Sequence, residues 1–400
     1  MSGEERRHNT SPNGRSFAPA LAVTVALILY GSLYPFEFHN HVDPAQGVRH
    51  LLSTWHTRSS IGDLLANILL YLPLGFFAAR TAVRLAPLLR VCIAVLGGAL
   101  LSMSVEYAQL WDLQRVSAMS DVYANSIGAF LGALAGTALA IDLHLSHWKE
   151  LRRRPYAFLM ILCWIAYRLF PYVPVIDAQK YWHAVRPLLQ TPSVTVIDLV
   201  PYFASWLAVG ALLQSTLGPV AGRYALPALL MATLCARIAI SDIALSQADV
   251  IGGFAAAATW VAWLQARKYR LWIVAFALAA TVVVDGLRPF RFLSAPRTFD
   301  WIPFLGLIDG SIWTSLPAHI FKFFLYGTLV WSVRRSGLGW LTATITTAVL
   351  VFLVHYLQIY LPGRSAEITD LVLVLMASAL MRTLEREVES RRPSPGESAF

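Results

Sequence analysis

The sequence predicts an all-α, polytopic membrane bundle of about twelve transmembrane helices, arranged as three four-helix repeats with both termini cytoplasmic. Three observations predict it. Of 400 residues, 57% are hydrophobic and 14% charged, against about a quarter charged in an ordinary soluble domain. The apolar residues fall in runs of roughly twenty, the length that crosses about 30 Å of hydrocarbon. The Lys and Arg residues behind the net charge of +9 collect in short loops between those runs, which is how loop charge sets orientation. A basic soluble protein would raise the question of nucleic acid; here the charge is read as topology, no nucleic acid is expected, and the lipid bilayer is the first partner.

Taken in order, runs delimited by Pro, Gly or charge give spans near 17–34, 63–83, 90–110, 119–141, 155–172, 196–217, 224–242, 246–265, 270–285, 313–333, 338–360 and 367–383. The first follows Arg6, Arg7 and Arg15 but has no small-residue cleavage site and runs into Tyr34 and Pro35, so it reads as an uncleaved helix after a cytoplasmic tail, 1–16. On these spans twenty basic residues fall on the side of the termini and nine on the other. That places the long loops after the first, fifth and ninth spans outside a bacterial inner membrane, and residues 384–400 in a disordered cytoplasmic tail. Cys92, Cys163 and Cys235 each lie within a hydrophobic run, with neither disulfide nor zinc spacing.

The three long loops disclose an internal repeat. Each follows an aromatic-proline signature: Tyr34-Pro35-Phe36, Phe170-Pro171-Tyr172 and Arg288-Pro289-Phe290. The next long helix is expected to open at Asp63, Asp198 and Ser315, each with a glycine twelve residues on, Gly75, Gly210 and Gly327. Asp121, Asp249 and Asp370 match in the fourth helix of each unit. Glu106, Gln109, Arg115 and Asp121 share the spacing of His355, Gln358, Arg364 and Asp370. The units are 17–141, 155–265 and 270–383, all in one orientation because each holds an even number of helices.

Residues of the first unit carry a resemblance. The segments DLLANILLYLPLGF and SVEYAQLWDLQRVSAMSDVYANSIGAFLG resemble the VanZ-like family, membrane proteins named after an accessory teicoplanin-resistance determinant. The other two units resemble degenerate copies. His319 and His355 stand where the first has Asn67 and Glu106, and Tyr202 and Arg237 where it has Asn67 and Gln109. The resemblance implies a role at the cell envelope, in handling glycopeptides, surface polysaccharide or their lipid carriers.

Ionisable side chains inside a membrane are costly and usually face a bundle interior or a cavity. Asp63 and Asn67, Glu106 and Gln109, and Asp121 and Asn125 are pairs spaced three or four residues apart, so each pair shares one helix face. Gly128, Gly132 and Gly136 continue the face of Asp121 and Asn125, and small residues at that spacing let membrane helices approach closely. The sequence therefore predicts one outward-facing polar cluster, with Arg115 in the turn beside it as the anion contact. The plain reading is interhelical hydrogen bonding that glues three helices; the functional one is a pocket in which Asp63, Glu106 and Asp121 supply hydrogen-bonding or acid-base groups and Asn67, Gln109 and Asn125 orient them. His319, Lys322, His355, Gln358, Arg364 and Asp370 are secondary candidates, with Lys322 a buried functional cation, a side chain that snorkels to the interface, or the partner of Glu367 or Asp370.

His39, His41, His50 and His56 lie in the first long loop without a placed third ligand, so no metal is assigned, and no cofactor is called for. The ligand class is an envelope glycan or lipid-linked precursor. A transporter or flippase, and a scaffold within an envelope assembly, are the competing functions, and whether the protein is an enzyme is left open.

Overall fold

The computed structural model describes residues 17–34, 36–38, 43–54, 61–112, 117–138, 154–190, 194–308 and 312–390. Among them every regular element is helical, joined by three isolated backbone bridges. The chain divides into two compact units, one of Met1–His144 with Ser311–Trp313 and Arg386–Phe400, the other of Leu145–Gly310 with Thr314–Glu385.

The first unit contains α1 (Ala18–Leu33), α2 (Pro44–Ser53), α3 (Ile61–Thr81), α4 (Pro87–Gln109) and α5 (Met119–Ala138). Prolines stand at the starts of α1 and α4, where a missing N–H leaves no helical bond unmade. The close crossing of α3 with α5 organises this unit. A Cβ at Gly75, Gly128 or Gly132 would overlap backbone atoms of Ala129, Ile68 or Leu72, and one at Gly136 would stand 2.7 Å from the Phe76 carbonyl oxygen. Glycine is thus the residue that lets the two backbones meet. Gly98 brings α4 onto the same seam, where a Cβ would meet that of Ala129 at 2.7 Å. Ile28 of α1 packs on Tyr71 and Leu74 of α3.

The second unit contains α6 (Pro155–Leu169), α7 (Ala178–Val185), α8 (Val196–Ala239), α9 (Gln247–Ala262), α10 (Arg270–Leu287), α11 (Leu305–Ile308) and, over most of their lengths, α12 (Ile312–Arg335), α13 (Trp340–Leu357) and α14 (Thr369–Ser390). At 44 residues α8 is about twice the length a bilayer needs. It breaks at Gly218, where φ is +84°. A Cβ on Gly222 would lie 2.6 Å from Gln214 Cα, and one on Gly210 would lie 3.1 Å from Leu226, so the chain doubles back into two antiparallel arms. These arms correspond to the separate runs read at 196–217 and 224–242.

Five helical stretches among the described residues are long and apolar enough to cross a membrane: Pro87–Gln109, Val196–Ala239, Arg270–Leu287, Ser315–Arg335 and Trp340–Tyr360. Membrane character follows from them.

Two features were not visible as hydrophobic runs. α2 and α7 are short helices inside long loops, too polar and brief to register as spans. Leu51 of α2 packs against Met119 and Val122, and Thr54 Oγ1 accepts the Met119 N–H at 3.0 Å. The last helix also outruns its apolar stretch: residues 384–390, read as part of a disordered tail, are helical. Glu385 meets Arg335 at 3.5 Å there, and Leu384 is buried.

The segments after α1, α6 and α10 share a geometry. Phe36, Tyr172 and Phe290 have φ of 64°, 65° and 60°, and their N–H groups donate to the carbonyls of Leu33, Leu169 and Leu287 at 2.7, 2.8 and 2.8 Å. Just beyond, Phe38 bridges to Asp112 and Pro174 to Ile240, and Leu293 N–H donates to the Tyr360 carbonyl at 2.6 Å.

Candidate functional site

In the first unit the last turn of α4 faces the first turns of α5. Glu106 is 4% exposed. Its Oε2 accepts the Ala118 N–H at 2.9 Å, and its carbonyl accepts from Ser117 Oγ at 2.8 Å. The turn between the helices therefore folds back onto the carboxylate. Asp121 is an electrostatic neighbour of Glu106, so two acidic groups share this corner. One turn deeper, Asn125 Nδ2 donates to Ser102 Oγ at 2.9 Å. Asn125 Oδ1 is buried without a hydrogen-bond partner among the described residues. The Tyr71 hydroxyl of α3 has Ser102 and Glu106 as polar neighbours.

Gln109 turns elsewhere: its amide donates to the Ser32 carbonyl of α1 at 2.7 Å, tying α4 to α1. The structure thus brings Glu106, Asp121 and Asn125 together and gives Gln109 a bracing role. Asn67 is half-buried on α3. The Asp63 backbone lies in the first turn of α3, but its side chain lies outside the described residues. Arg115, His39, His41 and His56 lie outside them too, as does the side chain of His50.

The two aspartates matched to Asp121 sit in denser charge networks. Asp249 is 1% exposed, at the start of α9. Both its oxygens accept from Arg168 Nη2 at 2.6 Å, Arg237 Nη1 donates to Oδ2, and Ser246 Oγ caps its N–H at 3.1 Å. Two guanidinium groups therefore converge on one carboxylate. Asp370, fully buried, accepts from Lys322 Nζ at 3.0 Å and from Tyr326 Oη at 2.8 Å. His355 Nδ1 lies 3.0 Å from its Oδ2, and His355 Nε2 lies 3.1 Å from the Tyr326 hydroxyl.

Lys322 is thus the partner of Asp370, the pairing considered from sequence. Gln358 repeats the Gln109 brace, donating to the Gly286 carbonyl at 2.9 Å. Arg364 donates to the carbonyls of Arg288 and Asp285 at 2.9 and 2.7 Å, so it closes the loop after α10. His319 contacts the Ser315 carbonyl at 2.8 Å through Nδ1, while its Nε2 is buried without a hydrogen-bond partner among the described residues.

Sequence reasoning missed a cavity of about 460 Å³ in the second unit. Trp164, Tyr167, Tyr202, Trp206 and Phe321 give it aromatic walls; Arg168, Asp198, Asp285 and Arg288 give it charge. Asp198 and Arg288 pair at 2.5 Å and are both about one-third exposed. A signal was present: Arg168 is the lone charged residue in the apolar helix α6, and intramembrane charge marks function or a buried network.

Comparison with known proteins matches residues 17–140 to the VanZ/LLP1 family model. The matched stretch is the first unit, α1 to α5, and contains every residue of the Glu106 corner. No curated protein and no solved structure matches the chain.

Proposed function

We propose that this is a multi-pass protein of the bacterial cytoplasmic membrane that binds or processes a glycan-bearing envelope component at the Glu106–Asp121–Asn125 corner. Domains of the VanZ type are associated with membrane proteins in teicoplanin resistance, and residues 17–140 are such a domain. The observation that carries the reading is the chemistry of the corner. Two carboxylates, Glu106 and Asp121, are electrostatic neighbours at one end of an apolar bundle, and close by a buried amide oxygen has no hydrogen-bond partner among the described residues. Gluing helices requires each polar group to be satisfied. An unsatisfied acceptor next to paired carboxylates suits instead the hydroxyl and amide donors of a sugar or peptide ligand, with Arg115 as the contact for its phosphate or carboxylate.

In this reading the protein has twelve spans in three tandem VanZ-like units with cytoplasmic termini, and the corner opens to the periplasm. Support comes from the positive φ shared by Phe36, Tyr172 and Phe290 and from the matched braces Gln109 to Ser32 and Gln358 to Gly286. The second and third units keep the matched aspartate but neutralise it with Arg168 and Arg237, or with Lys322 and His355. Leu234 and His355 stand where the first unit has Glu106, so the carboxylate pair is assigned to the first unit.

The test is complementation of a deletion strain with Glu106→Gln or Asp121→Asn at matched membrane levels. Teicoplanin susceptibility and surface-polysaccharide yield should change as in the deletion. Wild-type behaviour of both variants sinks the pocket and leaves a scaffold. Cysteines at 63, 106 and 121 that label solely from the cytoplasm overturn the orientation.

A further inference from the structure

We infer that the cavity between α6, α8, α9 and α10 is a second ligand site, independent of the Glu106 corner, and that it takes a phosphorylated sugar.

The floor is cationic. Arg168 is 7% exposed, lines the cavity, and has a buried Nε without a hydrogen-bond partner among the described residues. It shares Asp249 with Arg237, so the group of three carries one positive charge in excess. An anion entering the cavity balances that excess, and charge-assisted bonds to guanidinium are the strong kind. The first turns of α8 and α9 also end here, through Asp198 and through Ser246 and Gln247, and helix N-termini favour negative charge.

The rim keeps its own carboxylates from repelling that anion. Asp198 accepts from Arg288 at 2.5 Å and from the Thr195 N–H and hydroxyl at 2.8 and 2.6 Å. Asp285 has Arg288 and Arg364 as cationic neighbours.

The walls suit a ring. Tyr167, Tyr202 and Phe321, each half-buried, offer apolar faces, backed by Trp164 and Trp206, which are each 1% exposed and meet edge-to-face at 4.4 Å. The Asp285 carboxylate and the Gln190 side chain line the cavity as polar groups for hydroxyls, while the Gln247 amide nitrogen donates to the Pro187 and Gln190 carbonyls at 3.2 and 2.8 Å and so leaves its oxygen as an acceptor. About 460 Å³ lies within the ordinary range for small-molecule sites, roughly 300–1,000 Å³. An anion without a ring leaves the aromatic walls unused, and a neutral sugar leaves Arg168 unanswered. The sugar phosphate can be free or esterified to a lipid; the chemistry recognised is the same.

The full chain in phosphatidylcholine nanodiscs decides the matter. It is titrated with glucose 1-phosphate, with glucosyl farnesyl phosphate, with glucose and with inorganic phosphate, reading tryptophan fluorescence and Tm. A saturable response to either sugar phosphate, at least tenfold tighter than to glucose or phosphate alone, supports the site, and the tighter of the two probes identifies the free or lipid-linked source. Arg168→Gln uncovers buried Asp249, so it is run beside Ser205→Leu, which fills the cavity from α8, and Phe321→Ala on the wall. Each of these should weaken binding at least fivefold, whereas Glu106→Gln should leave it unchanged. No saturable response to either ester, or full binding by Ser205→Leu and Phe321→Ala, overturns the proposal; loss of binding in Glu106→Gln moves the ligand to the other corner.

Discussion

One nitrogen of Arg168 lies 2.6 Å from both carboxylate oxygens of Asp249. This joins the end of α6 to the start of α9. Arg237, at the end of the second arm of α8, completes the knot.

Removing one member of a buried ion network leaves the others uncompensated, which typically costs about 3–5 kcal/mol. Asp249→Asn strands two guanidinium groups and should lose about that much. Arg237→Gln leaves Arg168 with Asp249 and should lose about half. Denaturant unfolding in detergent measures both; an Arg237→Gln loss equal to that of Asp249→Asn refutes the sharing.

The glycine seam predicts a sharp contrast. Gly132→Val forces α5 away from Leu72 of α3 and should cost more than about 2 kcal/mol, the upper part of the overpacking range. Gly97, one residue from the seam glycine Gly98, has nothing within 4 Å. Gly97→Ala should therefore be neutral or gain up to about 1 kcal/mol in helix propensity. Thermal melts of the two variants check this.

Gln109 and Gln358 each hold a backbone carbonyl across a helix interface, at 2.7 and 2.9 Å. Interhelical hydrogen bonds in membranes are worth about 0.6–1.7 kcal/mol. Gln109→Leu and Gln358→Leu should each cost about 1 kcal/mol. A double variant whose loss matches the sum identifies two independent braces.

Lys180 lies in α7, outside the spans, where Nζ donates to the carbonyls of Ile243 and Ile238 at 2.9 and 3.0 Å. Burial lowers its pKa, opposed by Asp242 and aided by Arg237. With the folded value below the unfolded one, the unfolded chain holds more protons between the two values, so this group's contribution to stability rises with pH across that window. The Tm of the wild type relative to Lys180→Gln should therefore climb as pH approaches the ordinary lysine range, about 10.4. A falling difference refutes it.

Much of the fold was legible because lipid imposes a simple rule: backbone groups must bond within the segment, so an apolar run of sufficient length is a helix. That rule located α3, α4, α5 and both arms of α8 within a few residues. It was silent on α2 and α7, whose polar faces look like loop, and on how far Glu385 and its basic partner extend α14. Of the candidate site, helical spacing put Asp121 and Asn125 onto one face, and the glycines of α5 marked that face as one a neighbouring helix approaches; that the neighbour is α3 came from the structure.

What the sequence by itself determined is therefore local: which stretches are helical, which faces carry Glu106, Asp121 and Asn125, and that residues such as Arg168, Asp249, Lys322 and Asp370 sit in apolar surroundings that demand partners. Tertiary structure alone decided who the partners are. Nothing in spacing assigns two arginines to Asp249, sends Gln109 to Ser32 while Glu106 turns to Ala118, or opens a cavity beside Arg168. Those outcomes depend on groups brought together across separations of 12 to 81 positions, where close packing leaves each buried charge few groups within reach.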